Sequence, residues 1–123
     1  MIRVRGIRGA TTTEDNSAEA IHTATRDLLD RVIEENQIQP DDVASVLLTM
    51  TPDLTATFPA AAIRSRPGWQ WVPLMCAKEL DVPGGLSKCV RILIHVNTEK
   101  TQQEIVHVYL GEAIVLRPDL SRG

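Results

Sequence analysis

Arg8, Arg64, Arg91 and Arg117, each beside the end of a strand-like segment, are the residues whose type and placement best suit chemistry. A guanidinium is a planar fork of donors matched to a carboxylate or phosphate, and it stays charged. Arg91 is the most informative of them. It lies in "KCVRILIHVN" (88–97), where Val90, Ile92, Ile94 and Val96 make one wholly apolar face, while Arg91, Leu93 and His95 face the other way. Burying a guanidinium without a partner is costly, so something must satisfy it. The partner is either a carboxylate of the chain, Glu79 or Asp81, or an anionic ligand. The opening "RGIRGATT" (5–12) adds Arg8 between Gly6 and Gly9, whose missing side chains let a group approach the backbone.

Other chemistries lack their residues. There is no glycine-rich nucleotide loop, no serine elbow and no Ser-His-Asp set. Cys76 has no base near it in the sequence, so it reads as a small, partly buried residue rather than a nucleophile. Cys76 and Cys89 match no zinc pattern, and His22, His95 and His107 lack a ligand spacing. Neither a metal nor another cofactor is expected.

The totals narrow the partners. The formal net charge is −3, and apart from histidine the aromatics are Phe58, Trp69, Trp71 and Tyr109. A basic excess and stacking surfaces, the marks of nucleic-acid binding, are both missing. Clustered arginines can still make a local positive field for a small anion. No long apolar run suggests a membrane segment, and no leader precedes "MIRVRGIRG". The expectation is a cytoplasmic protein with reduced thiols. A chain of 123 residues suits a single domain, 1–123. At that size only about two-thirds of the unfolded surface is buried, so association with copies of itself would add burial.

The elements that must hold these residues follow from pattern. Residues 2–8 predict a strand, with Arg3 and Arg5 on the parity opposite Val4 and Arg8. "TTTEDNSAEA" predicts a loop into a helix capped by Asn16 or Ser17, with Glu19 in its first turn. The helix runs to about Asn36, its core stripe Ile21, Leu28, Leu29, Val32 and Ile33. A buried strand follows from about Ala44 to Thr51. A short helix begins near Pro59 and stops at Pro67-Gly68. Further strands are predicted at 71–75, 88–97 and "VHVYL" (106–110). Gly111-Glu112 predicts a tight turn, and "AIVLRPDL" (113–120) a last strand. This order gives an α+β (mixed α/β) fold, one mixed β-sheet with helices packed on one face. Trp69 and Trp71 are expected in packing, Lys78 and Lys88 at the surface, and Arg3 and Arg5 solvated or paired at an interface.

The chain resembles the AroH-class chorismate mutases, the small trimeric type. The resemblance rests on "RGIRGATT" (5–12), "TPDL" (51–54), "FPA" (58–60), "AIR" (62–64) and "GWQWVP" (68–73). It continues through Cys76, Glu79, "GGLSKCVR" (84–91), "HVYL" (107–110) and "VLRPDL" (115–120), all in order. It implies conversion of chorismate to prephenate on the way to phenylalanine and tyrosine, in a homotrimeric pseudo-barrel whose sites lie between subunits. By the same resemblance Arg91 looks like the main catalytic cation, aimed at the ether oxygen. Arg8 looks like a carboxylate-binding arginine, and Glu79 like the acceptor for the ring hydroxyl with Cys76 lining the same end. Tyr109 looks like a further donor to a carboxylate. Phe58, Ala60, Arg64, Leu116 and Arg117 look like walls and a rim.

One departure is Ala61, where the family often carries lysine; another is the three-residue tail after Leu120. A competing reading from another class is a non-catalytic anion-binding or metabolite-sensing trimer. The imine-hydrolysing RidA-like proteins are small trimers of related architecture. The joint presence of Arg8, Glu79, Arg91 and Tyr109 separates the two, because a sensor needs the arginines but not the full set.

Overall fold

The computed structural model describes residues 1–116. Five strands form one mixed sheet: β1 (Arg3–Thr12), β2 (Val43–Met50), β3 (Leu74–Lys78), β4 (Cys89–Thr98) and β5 (Val108–Tyr109), in spatial order β3-β2-β4-β1-β5. The inner pairs β1/β4 and β2/β4 are antiparallel, while the outer pairs β2/β3 and β1/β5 are parallel. Two helices accompany the sheet, α1 (Ala18–Asn36) and the short α2 (Ala60–Arg64).

The alternation predicted for 88–97 sets the core. Val90, Ile92, Ile94 and Val96 are buried, and they pack in one apolar cluster with Ile21, Leu28, Leu29 and Val32 of α1 and Ala60 and Ile63 of α2. The start of α1 is fixed by Ser17, whose hydroxyl accepts the Ala20 N–H at 3.1 Å. Gln37, left-handed at φ 50°, stops the helix.

Gly9 decides how closely α1 lies on β1. A Cβ there would sit 2.9 Å from Ile92 Cγ2, 3.1 Å from Leu28 Cδ1 and 3.3 Å from Val32 Cγ2. Gly9→Val should therefore destabilise the fold by about 1–3 kcal/mol, the usual scale of overpacking a dense core. Urea unfolding would read this as a lower midpoint; an unchanged midpoint would mean that α1 can ride up at no cost.

Several predicted elements move. β1 runs on to Thr12 because β4 pairs with it along its whole length, from Arg3↔Thr98 to Thr12↔Cys89. The third strand is not 71–75 but Leu74–Lys78. Val72 is held in a turn by its N–H bond to the Trp69 carbonyl, and pairing with β2 begins only where the Val46 N–H reaches the Pro73 carbonyl at 3.0 Å. The strand expected over 106–110 shrinks to two residues, Val108–Tyr109. The last predicted strand does not form over its described part, since Gly111–Leu116 coils into 3-10 turns. There the Glu112 N–H bonds the Thr12 hydroxyl, the Ala113 N–H bonds the Leu110 carbonyl, and Ala113 is buried against Ala10, Cys89 and Tyr109. Residues 117–120 of that prediction lie outside the described residues. Trp69 packs in the core as expected, but Trp71 is 84% exposed in the single chain. Arg3 is exposed, and the Arg5 Nε–H donates to the Lys100 carbonyl.

Candidate active site

Sheet register places the polar residues. Thr49 pairs with Arg91, Arg91 with Ala10, and Ala10 with Tyr109, so these four form one row across β2, β4, β1 and β5 on the face turned away from the α1 contact. Arg8 shares that face, one pair along, opposite Leu93. Glu79 follows directly after β3, anchored by its N–H to the Met50 carbonyl at 2.9 Å.

Arg91 and Glu79 meet there. Arg91 Nε lies 2.9 Å from Glu79 Oε2, and the Thr49 hydroxyl donates to the same oxygen at 3.0 Å. Both side chains are largely buried, the Glu79 carboxylate more so than the guanidinium. Breaking a sheltered pair of this kind leaves one charge uncompensated. The contact is ionic rather than a well-directed hydrogen bond, because the Nε–H is not aimed at the oxygen. Among the described residues Arg91 Nε and Tyr109 Oη are buried polar atoms with no hydrogen-bond partner. Such groups cost free energy until an acceptor reaches them. Arg8, a half-buried residue, has no ion-pair partner among the described residues either.

A cleft of about 960 Å³ opens over the pair, lined by Thr49, Thr51, Asp53, Lys78, Glu79, Arg91 and the 80–87 loop. That volume suits a small organic ligand. The loop returns into β4 through a carboxylate clamp. Asp53 accepts from the Thr51 hydroxyl at 2.6 Å and from the Lys88 N–H at 2.8 Å, and Thr51 Oγ1 in turn accepts the Cys89 N–H at 2.9 Å. Lys88 is held left-handed at φ 49° in this clamp. The Thr51 hydroxyl, and after it the Lys88 N–H, hold the Asp53 carboxyl below the ordinary carboxylate range. The resulting stabilisation is present above that range and fades as pH falls through the lowered value.

The residues singled out from the sequence fall into two groups. Arg8, Glu79, Arg91 and Tyr109 gather toward the open face, with Leu116 packed on the cluster of Ala10, Cys89, Tyr109 and Ala113. Cys76 pairs with Leu48 and so faces the helix layer, the side opposite Arg91. It lines a separate hollow of about 280 Å³ with the exposed Phe58 and with Pro59. Ala60 is buried at the start of α2 and Arg64 is exposed at its end. Arg117 lies outside the described residues. Among the described residues, the cleft lined by Glu79 and Arg91 includes neither Phe58 nor Cys76. Thr49, Thr51 and Asp53 were not anticipated. Thr49 becomes a partner of Glu79 only through the β2/β3 register, which the sequence does not reveal, whereas the Thr51-Pro52-Asp53 spacing is a turn signal that could have flagged the clamp.

The two thiols differ. Cys89 is fully buried, and burial first, then the Glu79 charge, pushes its thiol up to about 11. Cys76 is half-buried. Iodoacetamide at pH 8 should leave Cys89 unmodified in the native protein and label it only after denaturation, as read by peptide mass spectrometry. Rapid native labelling of Cys89 would mean that the β1–β4 edge opens readily.

Residues 4–120 match the family model described as chorismate mutase type I. The chain is 53% identical over 118 residues to chorismate mutase AroH of Bacillus subtilis (strain 168), covering 96% of this chain and 93% of that protein. It is 51% identical over 118 residues to chorismate mutase AroH of Thermus thermophilus, covering 95% and 96%. Among solved structures, a chorismate mutase from Clostridium thermocellum superposes with a TM-score of 0.88 at 49% identity, covering 90% of this chain and 98% of that one.

Proposed function

The chain belongs to the type I chorismate mutase family and is a chorismate mutase, an isomerase, and on that premise we propose that the open-face cleft is its active site and that it works by electrostatic preorganisation. Chorismate is the substrate and prephenate the product. The rearrangement breaks one C–O bond and forms one C–C bond within a single molecule. No proton, hydride or covalent adduct has to pass through the protein. What remains is to hold a flexible dianion in its folded, reactive shape and to stabilise charge growing on the ether oxygen.

Each residue then has a task. Arg91 sits on a central strand, its charge already held by Glu79, so little reorganisation is needed when the ether oxygen becomes negative. Glu79 accepts the ring hydroxyl while Thr49 holds its carboxylate. Arg8 and the Tyr109 hydroxyl bind carboxylate. Leu116 and Arg117 form a rim. Phe58, Ala60, Arg64 and Cys76 supply the other wall from a neighbouring subunit of a homotrimer. Ala61, where the family often has lysine, removes a peripheral cation but leaves this core in place. The protein is read as a cytoplasmic single-domain enzyme of phenylalanine and tyrosine biosynthesis that needs no cofactor.

The observation that carries this reading is the sheltered Arg91–Glu79 ion pair, whose Nε–H is not aimed at the carboxylate, on the same sheet face as the buried Tyr109 hydroxyl, which has no hydrogen-bond partner among the described residues. Adding chorismate to the purified protein tests it. Its absorbance should decay catalytically, with prephenate as the product and no change on adding a chelator. Persistence of chorismate, or a product that has lost pyruvate, would contradict the assignment.

A further inference from the structure

Resting on the assignment of Arg8 to a substrate carboxylate, we propose that His107 is a positioning residue that fixes Arg8 relative to Tyr109. β5 is only two residues long, pairing Gly9↔Val108 and Ala10↔Tyr109, and the Leu110 N–H closes the ladder on the Ala10 carbonyl at 2.9 Å. On its leading side the ladder would stop at Gly9. There the Arg8 N–H is taken instead by an imidazole, donating to His107 Nδ1 at 2.9 Å. The backbone just before His107 is committed elsewhere. The buried Asn36 side chain donates to the Val106 carbonyl at 2.9 Å and accepts the Val106 N–H at 2.9 Å, while also donating to the Val32 carbonyl at 3.0 Å. One line of hydrogen bonds therefore runs from the end of α1 through Val106 and His107 to the backbone of Arg8.

The chemistry of the acceptor matters. Nδ1 accepts here, so the proton of the neutral ring sits on Nε2. The ring is rigid, and Nδ1 stands close to Cβ, so the bond fixes the Arg8 peptide against β5 with little play. His107 directly precedes β5, and Tyr109 ends it two residues on. A shift of β5 against β1 would move the Tyr109 hydroxyl and the Arg8 guanidinium apart. His107 holds both at one spacing without touching the reacting atoms.

Steady-state kinetics of Arg8→Gln, His107→Ala, His107→Asn, His107→Gln and the Arg8→Gln/His107→Ala double variant test this. His107→Ala should raise KM roughly 3- to 10-fold, the scale of one hydrogen bond, with kcat little changed. His107→Asn, whose Oδ1 can stand where Nδ1 stood, should restore most of the loss. His107→Gln, whose oxygen lies a bond further out, should not. The double variant should be no worse than Arg8→Gln alone, because His107 acts through Arg8. If Arg8→Gln leaves KM unchanged, the Arg8 assignment fails and this inference with it. If Arg8→Gln raises KM but the His107→Ala effect is absent or multiplies with it, only the role of His107 is overturned. Should His107→Ala not fold, a His107→Gln protein with wild-type KM overturns it equally.

Discussion

Arg91→Gln should lower kcat by a factor on the order of 10²–10³ or more, with the protein still folded and assembled. Glutamine keeps much of the length and one donor but removes the charge. The ether oxygen gains negative charge only as its bond breaks, so a cation there favours the transition state over bound chorismate. Arg91 is held for that moment, on a central strand and 2.9 Å from the Glu79 carboxylate. Arg8→Gln should behave differently, raising KM more than it lowers kcat, since a substrate carboxylate is charged in ground and transition states alike. Circular dichroism and light scattering on the same samples separate a chemical loss from a structural one. An Arg91→Gln protein that is folded and turns over within a few-fold of wild type would rule out electrostatic stabilisation by Arg91.

If the proposed homotrimer is the active species, specific activity should fall toward zero as dilution dissociates it. Phe58 and Cys76 line a hollow distinct from the cleft that Arg91 and Glu79 line, and the Cys76 position faces the opposite side of the sheet from Arg91. If all of these residues touch one substrate, the second group must come from another copy of the chain. A monomer would then keep Arg91 and Glu79 but lack a wall, and substrate would not be held in its reactive shape. Light scattering and initial rates across one dilution series should fall together, with the trimer as the active species. A stable, fully active monomer would show that one chain holds a complete site.

Much of this was legible because period and placement agree. The run from Val90 to Val96 alternates so strictly that both its strand and the outward side of Arg91 follow from it, and the α1 stripe reads equally well. What stayed hidden depends on register and competition. That Thr49 meets Glu79 needs the β2/β3 pairing, and that His107 meets Arg8 needs the two-residue β5. Residues 113–116 have the composition of a strand, but the Thr12 hydroxyl takes the N–H of Glu112 and the Leu110 carbonyl that of Ala113, and the segment coils instead. The split of the candidate site into two groups follows from which sheet face Cys76 takes, and that is set by the β2/β3 register, which pairs it with Leu48. β3 itself begins just after Pro73, three residues later than the strand expected at 71–75.

The most direct test of the preorganised site is a crystal structure of the assembled protein with a bicyclic dicarboxylate mimic of the transition state. The Arg91 guanidinium should lie about 3 Å from the ether oxygen, at hydrogen-bond distance. Arg8 and Tyr109 should hold carboxylate, Glu79 should accept the hydroxyl, and Phe58 and Cys76 should come from the adjacent subunit. An ether oxygen with no cation in reach, or a mimic bound away from the Arg91–Glu79 pair, would contradict the mechanism.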